Sequence, residues 1–445
     1  MRLRLGLIVI ALVLAGAAAF FYSRLQGPAS VPPRHPNGPF TIVLTGDTML
    51  ARTERLDMTA LQPVMSIVQD SNIAFTNLEA TLTQQPLTQT LSGWPYGGPP
   101  EIQALQKIGF NAVSCANNHA LDYGVSGAAA TMDMLKKQGL SYSGCGGDLG
   151  SARAPAIMTG GGMRVGLVSI TASALPETRA TARRGEIAGK GGVNTLRFDV
   201  RVTLDPDSFR IMAGTSFAKP VNGGKALQML GTTIVPGDKI EAQFVANQDD
   251  IGALLNTIRS ARKQSDILIV SLHGHTPDNA SPAPAKFLES FARDAVDAGA
   301  QIVVGHGPHR LRGVEKYHQG LIFYSLGDFL YQRKSVPEGA YDAFDRGTDP
   351  QSPNLGMPTG ARPAERNALE YRQSAMAVIT FDHAAPLSAK LVPLSLAGGV
   401  NAPDVEPQIA KVSQAAAILD AIRELSRGYG TTLSADGVVQ SLSAN

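Results

Sequence analysis

The sequence predicts an α/β fold with parallel strand pairs, and three observations point that way. Short apolar runs recur along the chain, and each ends in polar or acidic residues. Between them lie stretches whose apolar residues fall three and four positions apart, the helical period. The two patterns alternate, and strand–helix–strand alternation is the signature of a sheet built from parallel neighbours.

Five strands carry the argument. Phe40–Thr45 ends in Gly46-Asp47, and Asn72–Thr76 ends in Asn77-Leu78-Glu79. Phe110–Cys115 runs into Asn117-Asn118-His119, Asp266–Leu272 into His273-Gly274-His275, and Gln301–Val304 into Gly305-His306-Gly307-Pro308-His309. The helical patterns between them are Val64–Gln69, Pro100–Ile108, Gly124–Gln138, Asp250–Gln264 and Pro284–Ala298. Residues 172–245 break this rhythm. Gly189-Lys190-Gly191-Gly192, the alternating run Leu196–Leu204 and Gly223-Gly224 mark an insertion with some β-structure. A second irregular stretch runs from Ser335 to Arg372. Ala375–Phe381 and Ala389–Leu394 read as two closing strands, and Ala410–Arg427 as the helix of a C-terminal tail spanning 397–445.

The chain has 445 residues, 44% hydrophobic and 17% charged, a globular composition. A net charge of +2 is too small for a nucleic-acid binder, which concentrates basic residues on one face, so no nucleic-acid partner is expected. Arg2 and Arg4 precede an uncharged run from Leu5 to Tyr22. As a helix at about 1.5 Å per residue it reaches about 27 Å, close to the hydrocarbon thickness of a bilayer. The expectation is a short cytoplasmic N-terminus (1–4), a signal anchor (5–22), a proline-containing linker (23–39) and a main domain (40–396) outside the cytoplasmic membrane. A cleaved signal peptide is the competing reading: Ala17-Ala18-Ala19 offers a small-residue site, although Phe20, Phe21 and Tyr22 continue the apolar run past it. Only two cysteines occur. Cys115 ends one predicted strand and Cys145 follows the next, at Ser141–Ser143, so a disulfide is within reach. Two free thiols are the expectation, because Cys115 reads as a small buried apolar residue.

Metal chemistry needs carboxylates and neutral imidazoles converging on one point. The five strand ends deliver Asp47, Glu79, Asn118, His119, His273, His275, His306 and His309, and five of the eight histidines in the chain fall in these turns. A single histidine is more often a structural residue. Five strand tips on one rim of a sheet, all with metal-capable side chains, point to a metal or phosphate site at the carboxyl ends of the strands.

The blocks Gly46-Asp47-Thr48-Met49-Leu50, Asn77-Leu78-Glu79, Ala116-Asn117-Asn118-His119-Ala120-Leu121-Asp122-Tyr123-Gly124, Gly305-His306-Gly307-Pro308-His309 and Tyr324-Ser325-Leu326-Gly327-Asp328-Phe329 resemble the signature of the CapA family. These are bacterial poly-γ-glutamate capsule synthesis proteins, and the resemblance covers Phe40 to Leu396. It implies a calcineurin-like metallophosphoesterase fold: a β-sandwich flanked by helices, here with a variable insertion and one N-terminal membrane helix. It implies one or two divalent ions (Mn, Fe, Zn or Mg) held by Asp47, Glu79, Asn118, His273, His306 and His309, with Glu79 as the bridge. His119 is implied as the group acting on the scissile bond. Asp122, His275 and Arg310 are candidate substrate contacts. The implied partners are an anionic polymer or phosphorylated glycan, the membrane proteins of capsule synthesis and the cytoplasmic membrane itself.

The sequence departs from the phosphoesterase pattern in places. Met49 stands where Asp-x-His has its histidine, Gly307 where His-x-His has its first, and Asp328 replaces the commoner Asn. These departures favour a rival reading, a non-catalytic polymer-binding or export component that keeps the site as a clamp. Arg179, Arg183, Arg184, Lys190, Arg197 and Arg201 give the insertion a basic bias, either a lip for a polyanion or an ordinary solvated surface. Trp94-Pro95-Tyr96 suits stacking on a sugar or polymer chain, or loop packing.

Overall fold

A computed structural model describes residues 29–30, 39–51, 53–83, 96–229, 231–332, 369–383, 385–397 and 404–441. The anchor expected at 5–22, nearly all of the linker, Trp94, Pro95 and most of the irregular stretch after Ser335 lie outside the described residues. Among the described residues no helix is long and apolar enough to cross a membrane.

The architecture is mixed α/β, built on two large sheets. In the first, the order is Asp328–Gln332, Asp404–Ile409, Ala385–Ala397, Gln373–Asp382, Phe40–Met49, Ile73–Leu78, Ala112–Ser114, Ser141–Ser143. The last four strands of that order run parallel. In the second, Met163–Thr171, Ile267–His273, Ile302–His306 and Gly320–Phe323 form a parallel centre. Side chains alternate across each sheet. Ile42 and Leu44 of one sheet share a core with Ile267 and Ile269 of the other. Val43 instead faces Leu61, Val64, Ile102 and Leu105, on the helices Met58–Gln69 and Pro99–Ile108. Leu268 and Val270 face Leu254, Ile258, Leu288 and Phe291, on Gln248–Gln264 and Lys286–Asp297. The result is a four-layer sandwich with helices outside and two sheets inside. Each large side chain buried there contributes about 1.5–3 kcal/mol, which fixes the strand register and so the place where each strand ends.

Helix starts follow local chemistry. Asp57 caps Met58–Gln69 by accepting from the backbone N–H groups of Thr59 and Ala60, and Asn247 caps Gln248–Gln264 through Asp250 N–H. The first of these helices begins six residues before the predicted Val64. Pro63 lies within it, on the exposed side.

Residues 172–245 do contain a sheet of their own, in the order Lys219–Val221, Ala226–Met229, Thr232–Pro236, Phe198–Leu204, Glu241–Ala246. It packs on a small core of Leu204, Ala218, Leu227 and Ile234. The tail is not simply helical. Asp404–Ile409 joins the first sheet, and Val412–Arg427 packs Ile418, Leu419 and Ile422 into the core between the sheets.

The expectation of two free thiols is corrected. Cys115 and Cys145 form a disulfide with Cα atoms 5.7 Å apart. Ala112–Ser114 and Ser141–Ser143 are parallel neighbours with Ser114 opposite Ser143, so the residues just beyond their tips fall within bridging distance. Burial and pairing are both satisfied, since each cysteine is buried and the two share a cluster with Leu121 and Val193.

Candidate metal centre

The parallel strands of both sheets end at one rim, and the candidate residues hang from it. Asp47 lies where the register of Phe40–Met49 shifts against both neighbours. The shift is made by Gly46, whose backbone lies so close to Gly327 that a Cβ would sit 1.7 Å from the Gly327 carbonyl oxygen. Asp47 Oδ1 accepts from Asn77 Nδ2 at 2.8 Å, and Oδ2 from the Gly307 backbone N–H at 2.9 Å. His306 Nδ1 lies 3.3 Å from Oδ1. Burial alone favours protonated Asp47, but the contact with His306 and the fields of His306, His273 and His309 outweigh it. They hold the carboxyl well below the usual carboxylate range.

Glu79 follows the strand Ile73–Leu78 and is buried. Its backbone is held by an N–H bond to Thr48 O. Two groups of donors share it: Glu79 with His273 and His275, and Asp47 with Glu79 and His309, the donor atoms in each lying within 4.8 Å of one another. Asn118 Oδ1 joins the first group, 2.8 Å from His273 Nε2 and 3.3 Å from His275 Nε2. Donors around a tetrahedral ion with bonds near 2.1 Å sit about 3.4 Å apart, so small side-chain rotations close either group on a metal. Carboxylate oxygens mixed with imidazoles fit a hard or borderline divalent ion. The residues present therefore fit the ions that the sequence implied.

Outer partners orient these donors. Asn77 Nδ2 also lies 3.3 Å from His273 Nδ1, Asn279 Oδ1 lies 2.7 Å from His275 Nδ1, and Asp328 Oδ1 lies 2.8 Å from His309 Nδ1. Burial, followed by the neighbouring His275, drives His273 well below the ordinary histidine range. Burial, followed by His309, pushes His275 down to about 4. Both rings are neutral near pH 7 and keep a lone pair for a ligand bond.

His119 sits beside the donors. Its Nε2 lies 3.8 Å from Glu79 Oε1, while its Nδ1 is 2.8 Å from Asp122 Oδ2. The loop that carries it is shaped by Asn117, whose Oδ1 accepts from His119 N–H and whose Nδ2 donates to Leu78 O.

The structure thus brings together Asp47, Glu79, Asn118, His119, His273, His275 and His309. His306 enters neither donor group: its ring lies 5.7 Å from that of Phe75, with Nδ1 3.3 Å from Asp47 Oδ1. His306 is paired in register with His273 and shares its face of the sheet, and the turn that follows presents His309. Asp122 and His275, read from sequence as substrate contacts, hold His119 and join the first donor group respectively. Arg310 reaches Ala280 O at 2.6 Å and Glu370 at 3.1 Å. Of the basic residues in the insertion, Arg197 is bound by Asp250, with Nε–Oδ2 at 2.7 Å, and Arg179 by Ala174 O. Sequence reasoning missed Asn77, Asn117, Asn279 and Asp328 as orienting groups. The amide-rich runs Asn77 and Asn117-Asn118 were the available signal.

Comparison with known proteins agrees with the motif pattern. The family model described as "Bacterial capsule synthesis protein PGA_cap" matches residues 41–333. The "Uncharacterized protein y4sH" of Sinorhizobium fredii is 33% identical over 89% of this chain and 91% of its own length. The "Capsule biosynthesis protein CapA" of Bacillus anthracis is 28% identical over 52% of this chain and 43% of its own. Among solved structures, the NAD nucleotidase NadN of Haemophilus influenzae aligns over 87% of this chain and 56% of its own, with 9% identity and a TM-score of 0.35.

Proposed function

We propose a function from one premise: this chain belongs to the bacterial capsule synthesis protein family PGA_cap. The proposed role is that of a membrane-anchored accessory factor in synthesis of an anionic capsule polymer of the poly-γ-glutamate type, with its domain outside the cytoplasmic membrane. The site holds one or two divalent ions and cleaves, or grips, a phosphoester or polymer bond. The observation that carries this reading is the sharing of Glu79 by two donor groups, one completed by His273 and His275 and the other by Asp47 and His309. A buried disulfide supports the oxidising side of the membrane as the address.

A divalent ion bound there supplies Lewis acidity toward a phosphoryl or acyl oxygen. The chain does the rest. Glu79, Asp47, His273, His275 and His309 would hold the ions, and Asn77, Asn279 and Asp328 fix the orientation of those donors. Asp122 fixes His119 through Nδ1, leaving Nε2 toward Glu79 and the site. From there His119 Nε2–H can deliver a proton to a departing oxygen or nitrogen as general acid. The burial of the donors excludes water and strengthens these electrostatic contacts.

A second reading has a specific observation behind it. Gly307 brings only a backbone N–H to Asp47, and His306 stays outside both donor groups, so the half of the site around Asp47 has few ligands. A polymer clamp needs no more than that. Metal analysis of the purified full chain, with turnover measured on a phosphodiester and on poly-γ-glutamate, separates the readings. Bound metal with turnover supports the hydrolase, bound metal without turnover the clamp, and no bound metal under any loading condition removes both.

A further inference from the structure

Arg310 follows the donor His309 directly, and its side chain stays at the rim of the site. It spans to the loop opposite, donating from Nη1 to Ala280 O at 2.6 Å. The adjacent residue of that loop, Asn279, grips His275, and the rings of His275 and His309 lie 5.6 Å apart. The guanidinium is therefore tied to the loop that also carries the partner of His275, one residue along the chain from the donor His309. Its side chain is only 14% exposed, and its buried Nε makes no hydrogen bond among the described residues.

Glu370 is the acidic partner of this guanidinium, with Oε2 3.1 Å from Nη1. Its own side chain is 57% exposed and sits on a short 3-10 turn, Leu369–Arg372, in which no residue is buried. One member of the pair is thus largely buried beside the donors and the other is presented to solvent from a surface turn. An exposed carboxylate gains little from such a pair, because water screens it and competes for it. A guanidinium, by contrast, binds carboxylate with a planar, directional fork.

We propose that Arg310 is a carboxylate subsite of the metal centre, and that Glu370 occupies it as an internal stand-in until a carboxylate-bearing polymer displaces it. The inference rests on the reading of the site as one that takes an anionic polymer, and it assigns that polymer's carboxylate a specific contact. No bond is made or broken in the exchange. The incoming carboxylate takes the guanidinium N–H groups, and Glu370 returns to water.

The test uses the full chain with poly-γ-glutamate as probe and polyphosphate as a second, non-carboxylate polyanion. Glu370→Gln removes the competitor from an exposed position, so folding is not at risk. It is expected to tighten poly-γ-glutamate binding about two- to fivefold at low salt. In an Arg310→Gln background, or in Arg310→Lys where the fork is lost, the same change is expected to do nothing. Unchanged or weaker binding in Glu370→Gln overturns the proposal, as does tightening that persists without Arg310. Equal tightening toward polyphosphate overturns the assignment to carboxylate. Metal content measured on the same samples keeps the two readings apart. Loss of the ion with the Glu370 effect intact sinks the metal centre alone, and an intact ion without the effect sinks the subsite alone.

Discussion

His119 and Asp122 form a buried pair, Nδ1 to Oδ2 at 2.8 Å, that turns the other imidazole nitrogen toward Glu79. If His119 is the general acid, Asp122→Asn should lower turnover about ten- to a hundredfold while leaving bound metal in place. His119→Ala should lower it further, by about a hundredfold or more. Turnover and metal content measured together check this. Loss of metal in Asp122→Asn would instead make the pair structural.

Glu79 belongs to both donor groups and Asp47 to one. Glu79→Ala is therefore expected to abolish metal binding, and Asp47→Ala to reduce it, sparing the group completed by His273 and His275. Titration of each variant with a divalent ion, read by calorimetry, gives the stoichiometry directly. Equal losses in the two variants would contradict the shared role of Glu79.

Gly46→Ala places a methyl group against the Gly327 carbonyl oxygen, at a distance that no rotamer can relieve. Backbone must move, which should cost about 2–3 kcal/mol and displace Asp47. Thermal melting of the variant with and without added metal checks both parts: a lowered midpoint, and a smaller shift on metal addition than in the parent.

Asp250 ties the insertion to the second sheet. It accepts from Arg197 N–H, and its carboxylate pairs with the Arg197 guanidinium. Burial works to raise its pKa, but the hydrogen bonds and charge of Arg197 outweigh it and lower the value in the folded protein. A depressed folded pKa means stability that is present above the unfolded value, about 3.9, and lost as pH falls through the folded value. Asp250→Asn should therefore destabilise by about 1 kcal/mol near neutral pH, the exposed half of Arg197 being screened by solvent. The difference from the parent should begin to shrink below about pH 4 and vanish once the pH is below the depressed folded value. Denaturant unfolding at a series of pH values reads this out.

The disulfide closes a loop with a sequence separation of 30. Cys115→Ser with Cys145→Ser should lower stability by about 3–4 kcal/mol. Because Cys115 lies two residues before Asn117, the same variant should also weaken metal binding. Unfolding with and without reductant, together with metal titration, tests both effects.

Much of the fold was legible in the sequence, because each core strand is an apolar run that stops where the rim begins. Ser141–Ser143 and the end of the helix Pro99–Ile108 fall where the periodicity places them. The start of Met58–Gln69 was hidden by Pro63, which usually opens a helix and here sits inside one. The direction of His306 was not legible from its spacing to His309, because the chain leaves the strand between them through Gly307 at φ 112° and His309 at φ 57°. The role of Asp328 was hidden for a different reason. Parallel pairing sets Asp328 beside Asp47 in the first sheet, and its contact with His309 reaches the turn after Ile302–His306 of the second, which local sequence does not encode.

The two donor groups draw on distant parts of one chain. Asp47, Glu79 and Asn118 come from the first sheet, and His273, His275 and His309 from the second. A nascent chain or proteolytic fragment that stops before residue 273 thus owns both carboxylates of the donor groups and none of these three imidazoles. Where an ion binds, it acts as a rivet between halves that separately hold it poorly, so metal loading marks the moment at which the two halves of the sandwich have met.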